Sequence, residues 1–169
     1  MLIIRKTSFK DQRIAVFVDV QNMYYSAKNL YNGKLDYQSL LDVAKDGRRI
    51  IRAIAYVITA QTPDEEGFFE VLENIGFQVR KKELKEFYGG AKKGDWDMGM
   101  AIDAIRLSEK IDVAVIVTGD GDFVSLVKHL KAKGIQVEII AFGKSTAEEL
   151  VNEADVFLNM DKREDLYLM

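Results

Sequence analysis

Three short segments hold the residues that could do chemistry. Val18-Asp19-Val20-Gln21-Asn22 places a carboxylate directly after an apolar run. Thr118-Gly119-Asp120-Gly121-Asp122-Phe123 supplies two more, beside glycines that let the backbone turn tightly. Lys92-Lys93-Gly94-Asp95-Trp96-Asp97 leads into a helical pattern that carries Asp103. Carboxylates at the ends of buried strands are costly unless paired. If these converge, their like charges raise one another's pKa until a cation neutralises them. The chain has no cysteine and one histidine, so the available ligands are oxygens, which point to a hard ion, Mg²⁺ or Mn²⁺.

Each signal also has a plainer reading. Asp19 alone fits a helix N-cap, Gly-Asp-Gly-Asp an ordinary turn, and Asp97 a favourable charge at a helix start. All of them fall at strand-end or helix-start loops, and that coincidence favours the site. Asp103 lies off the helical face of Asp97 and divides evenly between a supporting position and the surface.

Other chemistries fail on composition or spacing. Without cysteine there is no disulfide framework, thiolate metal site or cysteine nucleophile. One histidine excludes a multi-histidine metal site within one chain, and His129, among Lys128, Lys131 and Lys133, reads as surface or edge packing. Gly119-Asp120-Gly121 could begin a dinucleotide fingerprint, but Val124 stands where its third glycine belongs. Gly143-Lys144-Ser145 resembles the end of a phosphate loop, but Glu138 stands at its first glycine.

The elements that must position these acids follow from apolar patterning. IAVFV (14–18), IRAIAYVI (51–58), VAVIVT (113–118) and IQVEIIA (135–141) are rich in Val and Ile. The first and third are nearly continuous, as in strands buried on both faces of a parallel sheet. FQVRKKEL (77–84) alternates and reads as a weaker strand; 155–159 reads as a short final one. Helical patterns lie between: 24–30 and 37–44, broken near Asn32-Gly33; 64–74, ended by Gly76; 96–110; and 123–133, ended by Gly134. The last helix is expected to open at Ser145 or Thr146, with Glu148 and Glu149 as capping-box partners. The succession predicts an α/β fold with a mainly parallel central sheet and helices on both faces. Ligands in such sheets bind at strand carboxyl ends, where the strand order reverses.

Basic residues cluster. Arg48, Arg49 and Arg52 are expected to be solvated surface, as is much of Arg80, Lys81, Lys82 and Lys85. Lys92 and Lys93, next to the acidic segment, are equally suited to phosphate contact. Tyr24, Tyr25, Tyr88 and Trp96 could stack on bases, but Tyr24 and Tyr25 are expected in the core, since both lie in an early helix near the sheet. Tyr88 and Trp96 flank Gly89-Gly90-Ala91, which reads as a mobile flap.

Together, Phe17-Val18-Asp19 with Asn22, Lys93-Gly94-Asp95-Trp96-Asp97 and Thr118-Gly119-Asp120-Gly121-Asp122-Phe123 resemble the signatures of NYN domains of the LabA-like group, relatives of the PIN nucleases. Ser145, Leu150, Ala154-Asp155 and Phe157-Leu158 resemble that family's ending. The likeness spans about residues 12–160. It implies a three-layer, PIN-like (Rossmann-like) fold with central strand order 3-2-1-4-5, which sets strands 1 and 4 side by side. It implies Mg²⁺- or Mn²⁺-dependent cleavage of RNA; the leading reading is an endoribonuclease acting on single-stranded or loop RNA, since flexible, unstacked RNA suits an open cleft better than a duplex. By residue match, Asp19, Asp97, Asp120 and Asp122 are its catalytic and metal-binding carboxylates. Asn22, Lys93, Asp103, Thr118 and Ser145 would bind substrate or support those acids. Asp95 is the alternative to Asp97, which is preferred because the following Met-Gly-Met-Ala-Ile-Asp run continues as the helix. A slow or non-catalytic RNA-binding regulatory module is the alternative function. A metal-dependent phosphatase or nucleotide hydrolase is the second.

The 169 residues suit one domain, expected at 12–160 between a tail at 1–11 and another at 161–169. No apolar run reaches the roughly 18 residues of a membrane span. The opening segment lacks the order of a signal peptide, so a cytoplasmic protein is expected. Met1-Leu2-Ile3-Ile4 leaves a homodimer open. The net charge of −3 argues mildly against nucleic acid. Setting the four site aspartates aside turns the balance slightly basic, so the acidic total no longer counts against an RNA partner.

Overall fold

A computed structural model describes residues 9–86, 92–93 and 95–169. Six parallel strands form one sheet: β1 (Arg13–Asp19), β2 (Arg49–Thr59), β3 (Gln78–Glu83), β6 (Val113–Val117), β7 (Gln136–Ala141) and β8 (Val156–Asn159), in the order β3-β2-β1-β6-β7-β8. β4 (Lys85–Glu86) and β5 (Lys92–Lys93) pair apart from it as a short antiparallel ribbon. The helices are α1 (Val20–Tyr31), α2 (Tyr37–Lys45), α3 (Glu65–Ile75), α4 (Asp97–Leu107), α5 (Val124–Ala132), α6 (Glu148–Glu153) and α7 (Glu164–Tyr167).

β6 is buried at every residue and β1 at all but its ends. Their unbroken Val, Ile, Ala and Phe runs are explained by helices on both faces. The chain moves from β1 outward through β2 to β3, then returns and moves from β6 outward through β7 to β8. Right-handed crossovers therefore put α1, α2 and α3 on one face and α4, α5 and α6 on the other. The order reverses between β1 and β6, whose register runs from Ile14 beside Val113 to Val18 beside Val117. Asp19 and Thr118 thus emerge at the same level from adjacent strands. All five longer expected strands form, and 156–159 adds a sixth to the expected order.

Several local expectations change. α1 ends at Asn32 in the left-handed region (φ 47), as the break near Asn32-Gly33 required. The capping box at α6 is not formed: Ala147 is the N-cap, and the Thr146 hydroxyl instead donates to the Phe142 carbonyl at 2.7 Å. Arg48 is not solvated. It is fully buried against Glu138, likewise fully buried. Its Nη1 and Nη2 donate to the two Glu138 oxygens, both at 2.9 Å, and the rest of the fork bonds Gln12 Oε1 and the carbonyls of Ala44 and Lys45. His129 is exposed. Residues after 160 pack onto the domain: Tyr167 is buried, and the Asp161 carboxylate accepts from the Tyr31 hydroxyl and the Lys144 N–H. Among the described residues, no helix is long and apolar enough to cross a membrane.

Candidate metal centre

The site begins where β1 stops. Asp19 caps α1, its Oδ1 accepting the Asn22 N–H at 3.2 Å. Its Oδ2 accepts the hydroxyl of Thr118, which is fully buried, at 3.0 Å. The capping reading of Asp19 and a site reading are therefore both available to one carboxylate: one edge holds the helix, and the group still lines the cleft. Thr118 Oγ1 also accepts the Asp120 N–H at 3.2 Å, and the Asn22 side-chain oxygen accepts the Gly119 N–H at 3.0 Å. These bonds lock the end of β1 to the loop after β6.

That loop turns through Gly121–Phe123, with Asp120 capping it by accepting the Asp122 N–H at 2.9 Å. Gly119 is required by close approach: its carbonyl accepts the Ala147 N–H at 3.0 Å, and a Cβ there would lie 2.8 Å from the Ser145 carbonyl oxygen. Ser145 stands on the cleft wall, its hydroxyl bonded to that of Ser26 at 3.0 Å.

Asp97 arrives from the opposite face as the first residue of α4. Trp96 anchors this end: its indole N–H donates to the Val57 carbonyl at 2.8 Å, and its ring packs on Tyr56 at 5.3 Å. Gly99 lets the ring lie flat, since a Cβ there would come within 2.5 Å of it. Arg80 and Lys82 cover the ring at 5.2 and 4.8 Å, and Lys82 Nζ donates to the Asp95 carbonyl at 2.9 Å. Trp96 is thus spent on holding the helix rather than exposed for stacking.

The result is convergence. One carboxylate oxygen each from Asp97, Asp120 and Asp122 lie within 4.8 Å of one another. These three, with Asp19 and Asp95, line one open cleft of about 550 Å³. Burial, then the charges of Asp120, Asp95, Asp19 and Asp122, push the Asp97 pKa up to about 6. Burial also raises Asp19, against the bonds from Asn22 and Thr118 that favour its charged form. A set of crowded, partly desolvated carboxylate oxygens without nitrogen or sulfur fits a hard divalent cation.

The remaining expected residues divide. Asn22 lines the cleft but spends its side-chain oxygen on Gly119. Thr118 lies beneath it, behind Asp19. Asp103 is not among the lining residues; it accepts the Tyr56 hydroxyl at 2.7 Å and pairs with Arg80, on the side of α4 that faces β2 and β3. The Lys93 backbone pairs with Lys85; its side chain and the expected flap at 87–91 lie outside the described residues. Tyr24 and Tyr25 are not core. They are half-exposed, and Tyr25 lines the cleft with Gln21 and Asn29. The i, i+4, i+8 spacing of Gln21, Tyr25 and Asn29 was the available signal, marking one polar stripe opposite the buried Val20, Met23 and Ala27.

Comparison with known proteins places this geometry. Residues 13–161 match the NYN domain, and the chain belongs to that family. It is 29% identical over 163 residues to the Low amplitude and bright protein LabA of Synechococcus elongatus, covering 91% of this chain and 87% of that one. Among solved structures it is similar to a protein of unknown function, VPA0982, from Vibrio parahaemolyticus. That likeness has a TM-score of 0.87 at 33% identity, covering 96% of this chain and 99% of that one. The all-parallel sheet with helices on both faces bears out the PIN-like fold class implied by the motifs.

Proposed function

We propose that the protein is a metal-dependent endoribonuclease, hydrolysing phosphodiester bonds in single-stranded or loop RNA. The observation that carries this reading is the convergence of Asp97, Asp120 and Asp122 within 4.8 Å at the switch point of the sheet. In this reading Asp97, Asp120 and Asp122 hold Mg²⁺ or Mn²⁺, with Asp19 beside them and Asp95 at the rim. When bound, the ion lowers the pKa of a coordinated water and screens charge developing on the phosphate. The chain does the rest. Asp120 and Asp122 are fixed by the Gly121–Phe123 turn, Asp97 by the Trp96 anchor, and Asp19 by Thr118 and Asn22. Pre-set ligands of this kind cost no rearrangement when substrate arrives. Hydrolysis adds one water across a P–O bond and needs no side-chain nucleophile, which suits a site without histidine or cysteine. An open cleft admits flexible, unstacked RNA more readily than a duplex.

The test is cleavage of a labelled single-stranded RNA with Mn²⁺ or Mg²⁺, against EDTA and against Asp120→Asn. Cleavage should stop with EDTA and fall at least about 100-fold in the variant, the scale for removing one preorganised electrostatic group. A variant as fast as the parent sinks the assignment. RNA affinity that survives without turnover would instead favour a binding module, and turnover of small phosphate esters with indifference to RNA would favour a phosphatase.

A further inference from the structure

The acidic cleft has one wall that the carboxylates do not explain. Among the α1 residues that line it, Gln21, Tyr25 and Asn29 form one stripe, one residue per turn over roughly 12 Å of helix. Tyr25 is 50% exposed and meets Tyr24, 49% exposed, edge to face at 5.3 Å. Two neighbouring tyrosines left in water beside a cleft of aspartates are not filling a core. Two amides on the same stripe offer both donors and acceptors without charge. Among the described residues that line the cleft, none is basic. The nearby cations stand outside it: Lys28 Nζ lies 5.9 Å from the Tyr24 ring, and Lys144 Nζ lies 5.2 Å from the Tyr31 ring.

A cleft so acidic repels a phosphate chain everywhere except at a bound cation. Affinity must then come from something other than phosphate charge, and aromatic faces supply it, since every base has a face that stacks. We propose that the exposed stripe of α1 is a platform for one unpaired nucleotide base: Tyr25 stacks on the base, Gln21 and Asn29 meet its polar edge, and Lys28 and Lys144 flank the strand's exit. The proposal rests on the RNA reading of the acidic cleft and adds where the neighbouring nucleotide sits. It also explains selection against duplex, because a paired base has no free face to give Tyr25. Few cations contact the strand, so binding should fall only weakly as salt rises.

The experiment is fluorescence anisotropy of the full chain with a labelled single-stranded RNA 12-mer. Ca²⁺ replaces Mg²⁺ as an ion that an oxygen-only donor set also accepts. Tyr25→Ala should weaken binding about tenfold or more, while Tyr25→Phe stays within about twofold, as stacking and not the hydroxyl is required. An otherwise identical oligomer lacking its bases should bind weakly and equally to all three proteins. Equal affinity of Tyr25→Ala and the parent, or no binding by the parent, overturns the platform. Parallel cleavage assays with Mn²⁺ separate the two readings. Cleavage by the parent with an unaffected Tyr25→Ala leaves the nuclease and removes the platform. Tyr25-dependent binding without cleavage leaves the platform and removes the nuclease.

Discussion

Toward the amino-terminal ends of the strands, Arg48 and Glu138 are both fully buried, and two bonds of 2.9 Å join them. At the carboxyl-terminal ends, Asp97, Asp120 and Asp122 crowd together with Asp19 and Asp95, and among the described residues no cation side chain pairs with any of them. The sheet is the same; the treatment of charge is opposite. Around Arg48 every face of the guanidinium fork has an acceptor, so the charge is neutralised and held. Around Asp97 partial burial, and then the like charges beside it, push its pKa up to about 6. The first arrangement is complete without a ligand. The second is completed by a cation. Buried charge as such therefore does not mark a site; crowded charge of one sign does.

The largest effect that sharpens this contrast is on catalysis, the loss of at least about 100-fold expected for Asp120→Asn. The largest on stability belongs to the balanced end. Glu138→Gln strands a buried guanidinium and should cost about 3–5 kcal/mol by denaturant unfolding, whereas Arg48→Met with Glu138→Leu should recover most of it. If the single change is as mild as the double, the pair is not the closed unit described.

At the unbalanced end, saturating Mn²⁺ should stabilise the chain by about 2.7 kcal/mol at a hundred times the dissociation constant. For a domain this size each kcal/mol raises Tm by about 2–4 °C. Asp120→Asn should lose most of that rise. A smaller effect appears without metal. Asp97 has a folded pKa of about 6 against an ordinary 3.8, so its protonated form stabilises the fold. That contribution is full below pH of about 4 and is lost as pH rises to about 6. Asp97→Asn in EDTA should therefore raise stability at pH 7, by about 1 kcal/mol once solvent screening is allowed for, and flatten the decline across that window. A less stable Asp97→Asn under these conditions would mean that the acids are not in conflict. The smallest effect is expected at the part-exposed Arg13–Asp112 pair, where Arg13→Ala should cost under about 1 kcal/mol.

What could be read from sequence divides along the same line. Asp19, Asp120 and Asp122 were legible because continuous apolar runs locate the strand ends, and strand ends are where this class of sheet binds ligands. The Asp97 segment was legible by motif, with Asp95 close enough to share the cleft. Arg48 was not: in a run with Arg49 and Arg52 it looks solvated, and its partner lies far along the chain. Glu138 inside IQVEIIA was the one visible clue, since a charge in a buried strand demands a partner. Tyr24 and Tyr25 were misplaced because proximity to the sheet says nothing of which helix face turns inward. Only the stripe of Gln21, Tyr25 and Asn29 carries that information.

The central claim is that charge of one sign was gathered at Asp97, Asp120 and Asp122 to hold a divalent ion. Electron paramagnetic resonance of Mn²⁺ titrated into the chain at pH 7.5 measures free ion directly. The account predicts saturable loss of the free Mn²⁺ signal in the parent, competed by Mg²⁺ and abolished or strongly weakened in Asp120→Asn. No uptake by the parent, or uptake unchanged in Asp120→Asn, would contradict it.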